Sequence, residues 1–189
     1  MFSEKEIVEG CKKGKKRFQN LLYEKYAALL LGVCIRYIKN RMEAEDVLHD
    51  AFIKIYISIK KFEHKNEGSL YSWAKRITVN TALNYLRDNL KHAFHVDIDD
   101  DTLSDNIANV EEQSSYPYIE PSEILKIVES MPNGYRLVFN MFVIEKFSHQ
   151  EIADSLGVSV STSKSQLLKS KKYLKERLSR QSVESNSLL

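Results

Sequence analysis

The sequence predicts an all-α protein: two small helical domains joined by an acidic linker. Three observations predict it. Gly and Pro number only 6 and 3 among 189 residues, too few for a turn-rich β architecture. Apolar residues on both sides of the chain's middle recur at steps of three and four, the spacing of one helix face. Between Ala93 and Leu125 there is no Lys or Arg, while Asp97, Asp99, Asp100, Asp101, Asp105, Glu111, Glu112, Glu120 and Glu123 accumulate. That composition marks a solvated connection, with basic flanks on either side.

The elements come in order. Ser3 and Glu6 have capping-box spacing, and Phe18, Leu22, Tyr26, Leu29, Val33 and Tyr37 continue the segment as an amphipathic helix. Asn40 and Glu43 repeat the spacing ahead of a second helix carrying Leu48, Phe52, Ile55 and Ile59 and ending near Lys60. Lys61 to Gly68 reads as a loop, and a third helix runs from about Ser69 to Leu90. The linker occupies 93–121, with Ser114-Ser115-Tyr116-Pro117 as a breaker. Beyond it Ser122 is positioned to cap Ile124 to Met131, Pro132-Asn133-Gly134 breaks the chain, and Tyr135 to Glu145 is densely apolar. The boundaries so read are a first domain over 1–92, the linker over 93–121, a second domain over 122–180 and a disordered tail over 181–189.

The stretch from Ser148 to Leu167 reads as a helix-turn-helix. Ser148 with Glu151 forms a capping box, Ala153 is small where a second helix must cross, Gly157 supplies the positive φ of a tight turn, and Ser159 can cap the next helix. In that second helix Ser163, Leu167, Ser170, Leu174 and Leu178 face inward. Ser161, Thr162, Lys164, Ser165, Gln166, Lys169 and Lys172 are left for base edges and phosphates of a major groove. Lys171, Lys175, Arg177 and Arg180 add phosphate-attracting charge that a net charge of +2 conceals.

Several function classes drop out. The charged N-terminus has no apolar export segment, and the longest apolar run, Ala27 to Ile35, is far short of the roughly 20 residues of a membrane span. A cytoplasmic protein with no membrane insertion is expected. Cys11 and Cys34 form no metal-ligand pattern and read as buried thiols. His49 with Asp46 and Asp50, and His92 with His95, read as surface residues. No phosphate-cradling loop or nucleophile elbow is present, so neither catalysis nor a metal or cofactor is expected.

The first domain carries two further surfaces. On the second helix a stripe of Asp46, Asp50, Ile53 and Ile57 remains after the core face is assigned, which suggests a protein partner. On the third, Trp73, Arg76, Asn80, Asn84 and Arg87 step along one side, after a loop with Phe62, His64, Lys65 and Asn66. Such interleaving can stack on unpaired bases and hold phosphates, although Trp73 equally suits a core.

These stretches resemble the extracytoplasmic-function sigma factors of bacterial RNA polymerase, in the sigma-70 family. Ala44-Glu45-Asp46-Val47-Leu48-His49-Asp50-Ala51-Phe52 is similar to the core-binding helix of region 2, and Trp73-Ala74-Lys75-Arg76-Ile77-Thr78-Val79-Asn80 to its promoter-melting helix. Met131-Pro132-Asn133-Gly134-Tyr135-Arg136-Leu137-Val138-Phe139 and the helix-turn-helix resemble region 4. The resemblance implies that Asp46, Val47, Asp50, Phe52 and Ile53 support or form the dock for the β′ clamp of core polymerase, and that region 4 meets the β flap. Phe62, His64, Lys65, Asn66, Trp73, Arg76, Asn80 and Arg87 would capture and open the minus-ten element, and the helix from Val160 would read the minus-thirty-five element. An anti-sigma factor that hides both DNA surfaces is the implied regulator. The chain departs from the family pattern at His49, Asp50, Leu70, Asn84, Ser163, Gln166 and Lys169, so its promoter sequence is not legible. The competing reading is an autonomous helix-turn-helix regulator that binds operator DNA without polymerase, usually as a symmetric dimer; a helical adaptor that binds only proteins would show no salt-dependent DNA affinity.

Overall fold

The computed structural model describes residues 2–89 and 120–186, and every regular element among them is helical. The chain divides into two compact units, Met1–Asn89 and Leu90–Leu189. The acidic run up to residue 119, together with His92 and His95, lies outside the described residues.

In the first unit α1 spans Glu4–Lys12 and begins with the expected capping box, in which Ser3 and Glu6 satisfy each other's backbone amides. The single long helix expected from Ser3 onward is in fact two. Gly14 turns left-handed at φ +67°, its amide donates to the Cys11 carbonyl at 2.9 Å and the Lys15 amide to Gly10 at 3.1 Å, and α2 starts afresh over Lys16–Tyr37. A glycine past the last turn is a common helix stop because it takes this φ without a Cβ clash. The returning helix passes so close that a methyl group on Gly10 would overlap the Phe18 ring. Gly10→Ala should therefore lose about 1–3 kcal/mol to overpacking, against a gain of about 1 kcal/mol in helix propensity. A lower urea midpoint read from Trp73, the sole tryptophan, is the expected result.

Asn40 caps α3 (Arg41–Ser58) by accepting from the Met42 and Glu43 amides. A 3-10 turn over Ile59–Lys61 and a loop ending at Gly68 lead into α4, Ser69–Asn89. Helices α2, α3 and α4 pack on one another and α1 packs on α2, burying Leu22, Leu30, Tyr37, Ile55 and Leu70 completely or nearly so. Cys11 and Cys34 are in this core as free thiols, where burial pushes them up to about 11 and about 12. Both stay protonated and unreactive at neutral pH.

The second unit opens with α5, Pro121–Ser130. Ser122, expected as its cap, lies inside the first turn instead. Pro121 occupies the first helical position, where its fixed φ and missing N–H cost nothing, and Glu120 is the cap residue without a side-chain bond. The expected break at Pro132-Asn133-Gly134 shrinks to Met131 and Pro132, because α6 already begins at Asn133 and runs to Phe139. It continues as a π-helical turn over Asn140–Ile144, closed by Glu145 N to Asn140 O at 3.0 Å. Then come α7, His149–Leu156, and α8, Val160–Asn186, which carries the helix past Arg180 into the segment expected to be disordered. Val128, Met131 and Phe139 form one cluster of this unit's core, with Ile124, Tyr135, Tyr173 and Leu174 packed around it, and Leu137, Met141 and Ile152 are fully buried as well. Among the described residues no helix is long and apolar enough to cross a membrane.

Candidate functional site

Three surfaces are built by these helices. The first is the outer face of α3. Asp46 and Asp50 are exposed, and Ile53 and Ile57 are 45% and 72% exposed, so one continuous stripe mixes carboxylates with uncovered isoleucines. Val47 and Phe52 do not belong to it. They are 1% and 3% exposed, and the Phe52 ring lies 4.7 Å from Tyr23 and 5.8 Å from Tyr56. Both are buried on the core face of α3, behind the stripe. Their positions on the inward face, among Ala44, Leu48, Ala51 and Ile55, follow from helical periodicity.

The second surface combines the 62–68 loop with α4. Lys65 and Asn66 at the loop tip are exposed, as are Arg76, Asn80 and Arg87 along α4. Arg87 is aligned by its own helix, donating from Nη2 to Asn84 Oδ1 at 3.0 Å. Phe62, expected at a base-stacking position, is instead 8% exposed and its ring centroid sits 4.7 Å from that of Trp73. Trp73 is half-buried: it seats the start of the loop against α4 and leaves part of the indole accessible. His64 is also tucked in, with Nε2 3.5 Å from the Glu4 carboxylate. Glu4 itself, on α1, gave no signal in the sequence beyond a charged first turn.

The third surface is the helix-turn-helix. Ser148 accepts from the Glu151 amide while Glu151 accepts from Ser148, Gly157 adopts φ +69° and ψ +32°, and Ser159 Oγ accepts from the Thr162 amide at 2.9 Å. The Ser159 hydroxyl also bonds Ser161 Oγ at 2.7 Å and Thr162 Oγ1 at 2.8 Å. Ala153 is buried at the crossing. His149 ties the two helices together: its ring stacks on Phe142 with centroids 4.5 Å apart, and Nδ1 is 2.9 Å from Ser163 Oγ. Burial, then the nearby Lys164 and Lys171 charges, lower its pKa, which favours the neutral ring in that contact.

On α8, Ser161, Lys164, Ser165 and Lys172 are exposed, and Thr162 and Lys169 are half-buried. Gln166 is 3% exposed, which removes it from the outward, DNA-facing set in which it was expected. Residues 163, 166, 167 and 170 are spaced i, i+3, i+4, i+7 and all four are buried, so Gln166 belongs to the inward stripe. Lys171, Lys175, Arg177 and Arg180 extend the exposed basic side. No group of three His, Cys, Asp or Glu side chains that could hold a metal ion occurs among the described residues.

Known proteins match both units. The Sigma-70 region 2 family model matches residues 22–91 and the Sigma-70, region 4 family model matches residues 122–174. The ECF RNA polymerase sigma-E factor of Haemophilus influenzae is 27% identical over 183 residues, covering 91% of this chain and 93% of that protein. The RNA polymerase sigma-H factor of Pseudomonas aeruginosa is 26% identical, with 93% of each covered, and the sigma-E factor of Escherichia coli is 27% identical over 89% of this chain and 90% of its own.

Proposed function

From the membership of this chain in the sigma-70 family, in its extracytoplasmic-function branch, we propose how its three surfaces divide the work of an RNA polymerase sigma factor. The chain directs transcription initiation, and the observation that carries this is the pair of region matches in chain order, region 2 on the first unit and region 4 on the second. The α3 stripe of Asp46, Asp50, Ile53 and Ile57 is the dock for the β′ clamp. It offers apolar area for burial beside carboxylates that set partner and register. The loop tip at Lys65 and Asn66, with Arg76, Asn80 and Arg87, takes the opened minus-ten strand, and the half-exposed Trp73 supplies a ring on which an unpaired base can stack.

The exposed end of α8 enters the major groove of the minus-thirty-five element, with Ser161, Thr162 and Ser165 near base edges and Lys164, Lys169 and Lys172 near phosphates. The second unit also meets the β flap. The residues 93–121 join the two units through a stretch whose negative charge suits the path that RNA later takes. The chain supplies binding energy and strand separation, and phosphoryl transfer belongs to the polymerase. Its place of work is the cytoplasm, with an anti-sigma protein as the partner that covers both DNA surfaces when transcription is not required.

Lys164→Ala should weaken minus-thirty-five duplex binding uniformly across sequences and reduce the salt slope by about 1. Gln166→Ala should instead lower the stability of the second unit and leave base preference unchanged; a changed preference would return Gln166 to the groove. The test of the whole reading is run-off transcription from genomic fragments with purified core polymerase. Discrete transcripts that require the chain are expected. Their absence, together with tight binding of the chain alone to a palindromic duplex, would support an autonomous regulator.

A further inference from the structure

We infer that Glu4, on α1, is a positioning residue for minus-ten capture: its buried carboxylate holds the base of the 62–68 loop and the first turn of α4 in the conformation that receives the unpaired strand. This rests on the assignment of that loop to the minus-ten element.

Glu4 is 2% exposed, and a carboxylate at such a position is tolerated only when its oxygens are fully engaged. They are. The Tyr26 hydroxyl donates to Oε1 at 2.6 Å, and the amides of Gly68 and Leu70 donate to Oε2 at 3.0 and 3.4 Å. His64 Nε2 stands 3.5 Å from the same oxygen. Burial pushes the carboxyl up, but these bonds from Tyr26, Gly68 and Leu70 outweigh it and hold the group below its ordinary value, so it is ionised at neutral pH.

The two amides sit where α4 begins, and the first amides of a helix have no partner within it. The positive end of the helix also favours an anion. A residue more than sixty positions upstream thus accepts from the amides at the start of α4. The attachment runs in both directions, since the Glu4 amide donates to Glu67 Oε1 at 3.3 Å. From α4 the constraint reaches the tip of the loop. The Ser69 hydroxyl donates to the Asn66 carbonyl at 2.6 Å and the Ser69 amide to the same oxygen at 3.1 Å.

The loop is therefore pinned at Phe62 by Trp73 and at Gly68 and Leu70 by Glu4, with His64 packed beside that carboxylate, while Lys65 and Asn66 project into solvent. Ordering these residues before DNA arrives removes an entropic cost from strand capture. Helix α1 has other attachments, through the buried Ile7, Val8 and Cys11. Loss of the carboxylate should consequently release the loop without releasing the helix.

The experiment uses holoenzyme reconstituted from core polymerase and the full chain, on a promoter mapped by run-off transcription and labelled with 2-aminopurine in the minus-ten element. Glu4→Ala should slow promoter opening about tenfold or more, by analogy with other misplaced functional groups, while core affinity stays within about twofold of the parent. Glu4→Gln should recover most of the rate, because the amide oxygen can accept from Gly68 and Leu70 while its NH2 donates to the Tyr26 hydroxyl. Asn66→Ala serves as a direct probe of the loop. Parental opening by Glu4→Ala with impaired opening by Asn66→Ala overturns the role of Glu4 and keeps the loop assignment; parental opening by both removes the assignment and the inference with it. Core affinity that falls in step with opening in Glu4→Ala overturns the inference too, since Glu4 would then support the whole unit.

Discussion

Replacing Ile53 and Ile57 together with Asp is expected to weaken binding to core polymerase by at least about thirtyfold, the equivalent of one interface hot spot of about 2 kcal/mol. Both side chains are largely uncovered in the free chain, at 45% and 72% exposure, and they lie one helical turn apart on α3. Docking against the clamp would remove that apolar area from water, and the substitution replaces it with charge that must be desolvated without a partner. The fold has little reason to respond, because surface changes away from the core stay within about 0.5 kcal/mol. Anisotropy of the labelled chain titrated with core polymerase measures the first effect, and a urea titration followed at Trp73 checks the second. Asp50→Arg should act in the same direction by reversing a charge in the stripe. Unimpaired assembly with both variants would move the dock to another uncovered apolar surface of the first unit, such as that of Leu29 or Met42.

The features legible in the sequence are those whose chemistry is local. Ser3 with Glu6, Asn40 ahead of α3, Ser148 with Glu151 and Ser159 ahead of α8 all cap as their spacing requires, because a cap bonds amides only two or three residues away. Apolar spacing likewise marks the helices and the all-helical class. The features that escaped depend on choices between comparable local options, or on contacts distant in sequence. Between Cys11 and Phe18 no apolar side chain marks a face, so the spacing is equally compatible with one helix or two, and the stop comes from one left-handed residue, Gly14. At the start of α5, Ser122 and Pro121 both carry a start signal, and the proline, with its constrained φ, takes the first helical position.

For the candidate site the division is similar. The exposed members of the α3 stripe and of α8 follow from subtracting the core face, yet the motif likeness drew in Val47 and Phe52, which lie on that core face. Gln166 shows that a polar side chain can occupy the inward stripe of a helix when its neighbours Ser163 and Ser170 are also polar and buried. The Glu4 contacts with Gly68 and Leu70 join residues more than sixty apart. No periodicity or capping rule reaches that far, so only the packing of α1 beside the 62–68 loop reveals them.

Gly157→Val should impair minus-thirty-five binding about thirtyfold while leaving core binding by the first unit unchanged, and the cause would be backbone conformation and not space. A Cβ at Gly157 would meet nothing within 4 Å, so steric fit to neighbours is not the issue. Its φ of +69° and ψ of +32° are left-handed, which costs an L-residue about 1–2 kcal/mol and a β-branched one more. The turn is also fixed by hydrogen bonds, with the Gly157 and Val158 amides both directed at the Ala153 carbonyl. A valine can relax out of the left-handed region, in which case α7 and α8 lose their crossing and DNA must restore it at about 2 kcal/mol, or roughly thirtyfold in affinity. Alternatively it keeps the turn and the same strain appears as lower stability of the second unit. Gly157→Asn separates strain from every other explanation, because asparagine visits the left-handed region readily. Near-parental duplex affinity for the Asn variant beside a weakened Val variant assigns the effect to φ. Equal losses in both would mean that the groove requires a bare backbone at the turn, and would place Gly157 at the DNA surface itself.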